Sequence, residues 1–251
     1  MRPVLTLLTD FGTADGYVAE MKGVLLSALP DATIVDVAHD VGPQDTEGAR
    51  LAFARYWRRY PPGTAHIVIV DPGVGTRRAA LCVQSDGRYA IGPDTGVLSP
   101  AMLFAGARVV RLPIPRSASA TFHGRDVFAP AAAALAGGTP LEAVGSPFDD
   151  PIVRRTPEPR RSGDGLVVGE VIHIDRFGNA ITNLLAPHGG SVEVGGRTLP
   201  IRVAYGDAEP GGLLAVTGSS GLLEIARRDG DAARTLGLAR GTPVALRSGG
   251  R

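Results

Sequence analysis

Residues 66–71 read His-Ile-Val-Ile-Val-Asp, and Pro-Gly-Val-Gly-Thr-Arg-Arg follows at 72–78. Four apolar, mostly β-branched residues in a row describe a strand buried on both faces, and an Asp-Pro-Gly that stops the run describes a turn. Asp71 therefore stands at a strand's carboxyl end, which is where open α/β sheets bind their ligands. Gly73 and Gly75 lack a Cβ and let the backbone approach a ligand closely, with Arg77 and Arg78 in reach of the same turn. The same residues would also serve an ordinary solvated turn.

The arrangement occurs twice. Residues 4–8 form a short apolar run that ends at Thr9-Asp10-Phe11-Gly12, so two carboxylates are expected to face one crevice. Residues 15–29 carry Val18, Met21, Leu25 and Leu29 at helical spacing, with Pro30 just beyond. A second strand at 34–37 leads into His39-Asp40, an adjacent pair that reads more readily as solvated than as ligating. Asp45 or Thr46 can cap a helix running to about Tyr60, whose buried stripe is Ala49, Ala52, Phe53, Tyr56 and Trp57.

After Arg78 come strands at 80–84 and 89–91, the turn Gly92-Pro93-Asp94-Thr95-Gly96, a short helix at 98–104 and a strand at 108–112. That turn is rich in hydrogen-bonding groups, though the composition is ordinary for a loop. The absence of a helical pattern after Gly75 removes the βαβ unit that a Rossmann-type methyltransferase would need. His123, in Thr121-Phe122-His123-Gly124-Arg125-Asp126, lies beside a glycine at the entry to a helix at 127–136, which places it on a loop tip and favours a functional role.

Residues 151–165, proline-rich, polar and without periodicity, read as a linker between an α/β domain at 1–150 and a second domain at 166–251. The second domain consists of short strands around a Gly195-Gly196 hairpin with hardly any helix, the pattern of a small antiparallel β-barrel or sandwich. Two of its segments are dense in polar groups. Residues 174–183 combine Asp175, Phe177, Asn179 and Asn183 around Gly178, which are the parts needed to hold a nucleoside's base by its edge and its face. Residues 217–224 bring hydroxyls, backbone amides and Glu224, which would suit the carboxylate and ammonium of an amino acid, in a strand that ends at Arg227.

A chain of 251 residues with 44% hydrophobic content can bury a sizeable core, while a formal net charge of +1 offers no electrostatic case for nucleic acid or an anionic membrane. Cys82 is the single cysteine and sits in an apolar run, so no intrachain disulfide is expected. The apolar amino terminus breaks at Asp10, leaving neither a signal peptide nor a spanning helix, and a cytoplasmic location is the expectation.

The motifs Thr9-Asp10-Phe11-Gly12, Asp71-Pro72-Gly73-Val74-Gly75-Thr76, Phe122-His123-Gly124-Arg125-Asp126, Asp175-Arg176-Phe177-Gly178-Asn179 and Gly218-Ser219-Ser220-Gly221 together resemble the adenosine-forming S-adenosyl-L-methionine (SAM) hydrolases, also called SAM hydroxide adenosyltransferases. These are relatives of the fluorinases and chlorinases. The resemblance implies an α/β amino-terminal domain with helices on both faces of its sheet, a carboxyl-terminal β-barrel, and a homotrimer with sites between neighbouring subunits. It implies that SAM and water give adenosine and L-methionine, with no cofactor and no metal. It carries the family's catalytic Asp, Arg and His onto Asp71, Arg78 and His123, and its substrate contacts onto Asp10, Asp71, Asn179, Ser219 and Glu224, with Asp175, Phe177 and Arg227 beside them.

The chemistry is consistent with those residues. A sulfonium leaves as a neutral thioether and needs no acid, whereas water, with a pKa of about 15.7, is a poor nucleophile. A site must hold a water in line with the breaking carbon–sulfur bond and relieve it of a proton. Arg78 cannot be the base. Asp71 or His123 must take the proton, or they share it. Rival readings are a 5′-halogenase, which a charged Asp71 disfavours because it repels a halide and because fluorinases resemble this chain with a tyrosine and a threonine in place of Asp71 and Val74, and a non-catalytic adenosine or SAM sensor.

Overall fold

The computed structural model of the chain describes residues 2–162, 166–185 and 189–248. Residues 163–165 of the expected linker, and 186–188 and 249–251 of the expected second domain, lie outside them. The chain forms two compact units, Met1–Arg155 and Thr156–Arg251.

The first unit contains β1 (Val4–Thr9), α1 (Tyr17–Ala28), β2 (Thr33–Ala38), α2 (Thr46–Tyr56), β3 (Ala65–Ile69), β4 (Ala80–Ser85), β5 (Arg88–Pro93), α3 (Ser99–Met102), β6 (Arg108–Arg111), α4 (Ala129–Ala136), α5 (Leu141–Val144) and β7 (Ser146–Pro147). Its sheet has the order β2-β1-β3-β5-β4-β6-β7. The first four are parallel, and β4, β6 and β7 extend the sheet antiparallel. Alternation along the central strands assigns their side chains to two layers. Leu5, Leu7, Ile67 and Ile69 pack with Val18, Met21 and Leu25 of α1 and with the alanines of α4, while Leu8, Val68 and Val70 pack with Ala49 and Phe53 of α2 and with Trp57. The doubly buried strand thus has helices on both faces, as its composition requires.

Local chemistry sets the helix ends. Asp45 caps α2 by accepting the Gly48 N–H at 3.0 Å. Gly16 has φ 79°, a left-handed conformation that starts α1 at Tyr17, two residues later than the apolar spacing suggests. Because β2 lies on one side of β1 and β3 on the other, the chain reverses its direction of winding between β1 and β3. Their carboxyl ends, paired at Thr9 and Ile69, flank the switch point where such sheets bind ligands.

His66 of β3 is fully buried. Its Nδ1 lies 2.8 Å from Thr6 Oγ1, and Phe53, Tyr56 and Tyr60 surround the ring with centroids 5.5 to 5.8 Å away. Burial pushes the imidazole down to about 3. The unfolded chain binds this proton below about pH 6.5 and the folded one does not, so the stabilisation is complete above that pH and drains away as pH falls toward the folded value. Between pH 7 and pH 5 the loss is about 2 kcal/mol. Urea unfolding followed through Trp57, the single tryptophan and a core residue of this unit, should show that loss in the parent chain and little of it in His66→Gln. Equal pH dependence in the two proteins would assign the acid sensitivity elsewhere.

The second unit contains β8 (Arg160–Arg161), β9 (Val167–Ile174), β10 (Ala180–Leu185), β11 (Gly190–Val194), β12 (Arg197–Arg202), β13 (Leu213–Thr217), β14 (Leu222–Arg227), α6 (Ala232–Leu236) and β15 (Pro243–Ser248). The order β10-β14-β13-β12-β11-β15-β9 closes through a β9–β10 pairing into a barrel of seven strands, with β8 added on the outside of β9. All of its pairs are antiparallel except β12 with β13. Val171, Leu184, Val192, Leu199, Leu223 and Ile225 are among the side chains that fill it. Among the described residues no helix is long and apolar enough to cross a membrane.

Candidate active site

The loop after β3 folds back on itself. Thr76 Oγ1 donates to the Gly73 carbonyl at 2.7 Å and accepts the Arg78 N–H at 3.3 Å, which returns Arg78 to Asp71. The guanidinium meets the carboxylate with two bonds: Nε donates to Oδ1 at 2.9 Å, and Nη2 donates to Oδ2. Both side chains are buried, 9% and 6% exposed, so this is a desolvated pair and not a surface one. Arg78 also lies over the ring of Phe128, 5.4 Å from its centroid.

His123 completes the group, since Arg78 Nη2 donates to its Nδ1 at 2.8 Å. A guanidinium has no acceptor, so Nδ1 is unprotonated and the neutral ring carries its proton on Nε2. Burial and then the Arg78 charge hold this imidazole below its usual range, against the pull of Asp71 and Asp126. His123 is 4% exposed and immediately precedes a single π turn, Gly124–Phe128, which leads into α4. It is therefore not at an exposed loop tip: Gly124 packs under Met21, Phe122 and Ile69 with no room to spare, and that sinks the histidine into the sheet's end. Gly75, at φ 76°, works in the same way, because a Cβ there would lie 2.5 Å from the Ala120 carbonyl. The missing side chain lets the 71–78 loop close on the segment that carries His123.

Asp10 follows the last residue of β1 and accepts the Gln44 N–H at 2.8 Å. It occupies the end of the strand beside β3, across the switch point from Asp71. Asp94, one residue past β5, is 9% exposed; its N–H donates to the Ala79 carbonyl at 2.9 Å and its carboxylate accepts the Ile152 N–H at 2.8 Å. Burial raises its pKa, and the Arg78 charge works against that rise. It is a third carboxylate at these strand ends, which its loop composition does not single out. His39 is the clear departure from sequence expectation: it is 7% exposed and hydrogen-bonded at both nitrogens, to Thr9 Oγ1 at 2.9 Å and to Asp36 Oδ1 at 3.0 Å. It follows β2 directly, beyond an irregular step between Leu7 and Leu8 in the β1–β2 ladder.

In the second unit Asp175 folds the turn between β9 and β10. Its Oδ1 accepts the N–H groups of Phe177 and Asn179, both at 2.9 Å, and its Oδ2 accepts Asn179 Nδ2 at 3.0 Å. The Asn179 side-chain carbonyl faces no such partner among the described residues, and the Phe177 ring stands out at the turn with 76% exposure. Asn183, by contrast, spends its amide within the barrel, accepting the Glu170 N–H and donating to the Pro157 carbonyl, each at 2.8 Å. Glu224 is 4% exposed; its Oε2 accepts the Tyr205 hydroxyl at 3.0 Å, and a Cβ at Gly218 would lie 1.8 Å from its Oε1. Ser219 is exposed in the 218–221 turn. Arg227 donates to the Gly211 carbonyl at 2.9 Å and to Thr235 Oγ1 at 3.2 Å. The structure thus brings Asp71, Arg78 and His123 into one hydrogen-bonded group and Asp175 with Asn179 into another. Tyr205, the partner of Glu224, carries no signal in the sequence beyond being an aromatic in a loop.

Comparison with known proteins gives a consistent picture. Residues 5–145 match the SAM hydroxide adenosyltransferase N-terminal domain and residues 169–245 its C-terminal domain. The (R)-S-adenosyl-L-methionine hydrolase of Thermus thermophilus is 44% identical, over 98% of this chain and 100% of that protein. A fluorinase from Nocardia brasiliensis is 32% identical over 99% of this chain and 98% of its own length. The crystal structure of an uncharacterized conserved protein from Thermotoga maritima superposes with a TM-score of 0.88 at 34% identity, covering 98% of this chain and 100% of that one.

Proposed function

The chain belongs to the SAM hydroxide adenosyltransferase family, and on that premise we propose that it hydrolyses SAM to adenosine and L-methionine through Asp71, Arg78 and His123. The observation that carries the reading is the bidentate, buried Asp71–Arg78 pair with His123 on the same guanidinium. Arg78 fixes the carboxylate and leaves each oxygen further lone pairs for a water. His123 as bonded here holds no free lone pair at Nδ1 and a proton at Nε2, so it is a donor to a neighbouring oxygen and not the base. Asp71 is then the acceptor of the water's proton, and the water attacks the ribose 5′ carbon in line with the sulfonium. Relief of one proton at the moment of attack is worth about 10²–10⁴-fold in rate.

Asp10 offers a pair of acceptor oxygens to the vicinal hydroxyls of the ribose, one already oriented by Gln44. The free carbonyl of Asn179 suits the exocyclic amine of adenine, and the exposed Phe177 ring suits its face. Glu224 and Ser219 match the ammonium and carboxylate of methionine, with Arg227 and Asp175 holding the surrounding backbone. The working protein in this reading is a cytoplasmic homotrimer whose sites lie between neighbouring subunits. A fully active monomer in sedimentation would exclude that assembly. Halide transfer is disfavoured because a buried carboxylate at position 71 repels the anion.

The test is isotopic. In water enriched in heavy oxygen, the label should enter the 5′-hydroxyl of adenosine and not methionine. Labelled homoserine with methylthioadenosine, or labelled methanol with S-adenosylhomocysteine, would mean attack at a different carbon of the sulfonium. Unchanged SAM would leave a sensor.

A further inference from the structure

Thr9, the last residue of β1, is fully buried and bonded to His39, which is itself bonded to Asp36; the second oxygen of Asp36 takes Lys22 Nζ at 2.5 Å. Asp36 only accepts, so His39 Nε2 carries a proton; Nδ1 pairs with the Thr9 hydroxyl, and Thr9 Oγ1 also accepts the Phe11 N–H at 3.2 Å. Gly12 N–H adds a bond to the His39 carbonyl at 2.7 Å. Of the residues around Asp10, Thr9 and Gly12 are therefore bonded to His39, and Phe11 is bonded to Thr9. The β1–β2 ladder has its last pair at Leu8 and Ala38, one residue short of Thr9. Thr9 is fully buried, and both ring nitrogens of His39 are engaged by protein groups, so the polar atoms of this pair are spent within the fold.

We propose that Thr9, His39 and Asp36 form a positioning relay that fixes the backbone at Asp10 and aims its carboxylate at the substrate's ribose hydroxyls. The inference rests on the reading of Asp10 as the nucleoside-binding carboxylate. Its consequence falls on binding and not on the chemical step, since the relay has no hydrogen bond to Asp71, Arg78 or His123 among the described residues.

The test is a KM-against-kcat split on the full chain, with Asp10→Ala as reference and the dissociation constant of adenosine as a second readout. His39→Leu should raise KM for SAM and weaken adenosine about tenfold, the effect of one lost oriented hydrogen bond, with kcat within about twofold. His39→Asn, which returns an amide to the position facing Thr9, should recover most of the loss; His39→Gln, whose amide reaches only toward Asp36, should not. Thr9→Val removes the hydroxyl at nearly constant shape and should repeat the KM rise even if His39→Leu fails to fold. If Asp10→Ala raises KM while Thr9→Val and the His39 variants leave it within about twofold, the relay is overturned and the Asp10 reading stands. If Asp10→Ala itself leaves KM unchanged, both fall. A fall in kcat at constant KM would also overturn the positioning role.

Discussion

Asp71→Asn should lower turnover about 10²–10⁴-fold and leave adenosine affinity within a few fold. The carboxamide keeps the shape of the side chain and one acceptor for Arg78, but it cannot take a proton from water. It also turns one amide N–H toward the guanidinium, so the Arg78 fork loses one of its two bonds to the carboxylate. Measuring the adenosine dissociation constant beside kcat separates these effects. Lost turnover with retained adenosine binding places the defect at proton transfer, whereas joint loss would mean that the 71–78 loop has moved. Near-normal turnover would remove Asp71 from the role of base or essential organiser.

The part of this site that lies within one turn is legible in the sequence, and the part made by long-range contact is not. Asp71 and Arg78 are seven positions apart on a loop whose Gly73 and Gly75 are visible in the sequence, and the apolar run before them declares the strand that carries them. His123 is visible as a histidine before a helix, yet its burial depends on the π turn and on the close packing of Gly124, which no local pattern announces. His39 reads as solvated because its bond to Thr9 spans 30 residues and leaves no mark in local composition. In the barrel the polar residues of 179–183 suggest a ligand, and they hide a strand: the Thr182 hydroxyl donates to the Leu223 carbonyl at 2.8 Å and Asn183 bridges two further segments, so their polarity serves the fold. Buried polar groups have to be satisfied somewhere, and a sequence does not say whether the partner is a ligand or the protein's own backbone.

Arg78→Met should be strongly destabilising, and its size tests whether Asp71 keeps its charge once its partner is gone. Removing one member of a buried ion pair leaves the other charge desolvated and unpaired, at a cost of about 3–5 kcal/mol. For a unit of this size that corresponds to a fall in Tm of roughly 6–20 °C. His123 Nδ1 loses its donor at the same time. The double variant Asp71→Asn with Arg78→Met carries neither charge, so it should be more stable than Arg78→Met alone although it contains one more substitution, a coupling that independent sites do not show. Trp57 fluorescence reports this unit, which keeps the comparison free of the barrel's own unfolding. Both variants should be inactive, so stability is the informative readout. If Arg78→Met unfolds at the parent urea concentration, and the double variant is no more stable, then Asp71 does not carry an uncompensated charge once its partner is gone. The penalty of an unpaired buried charge would then be absent, and the Asp71–Arg78 pair would not be what holds the 71–78 loop in place.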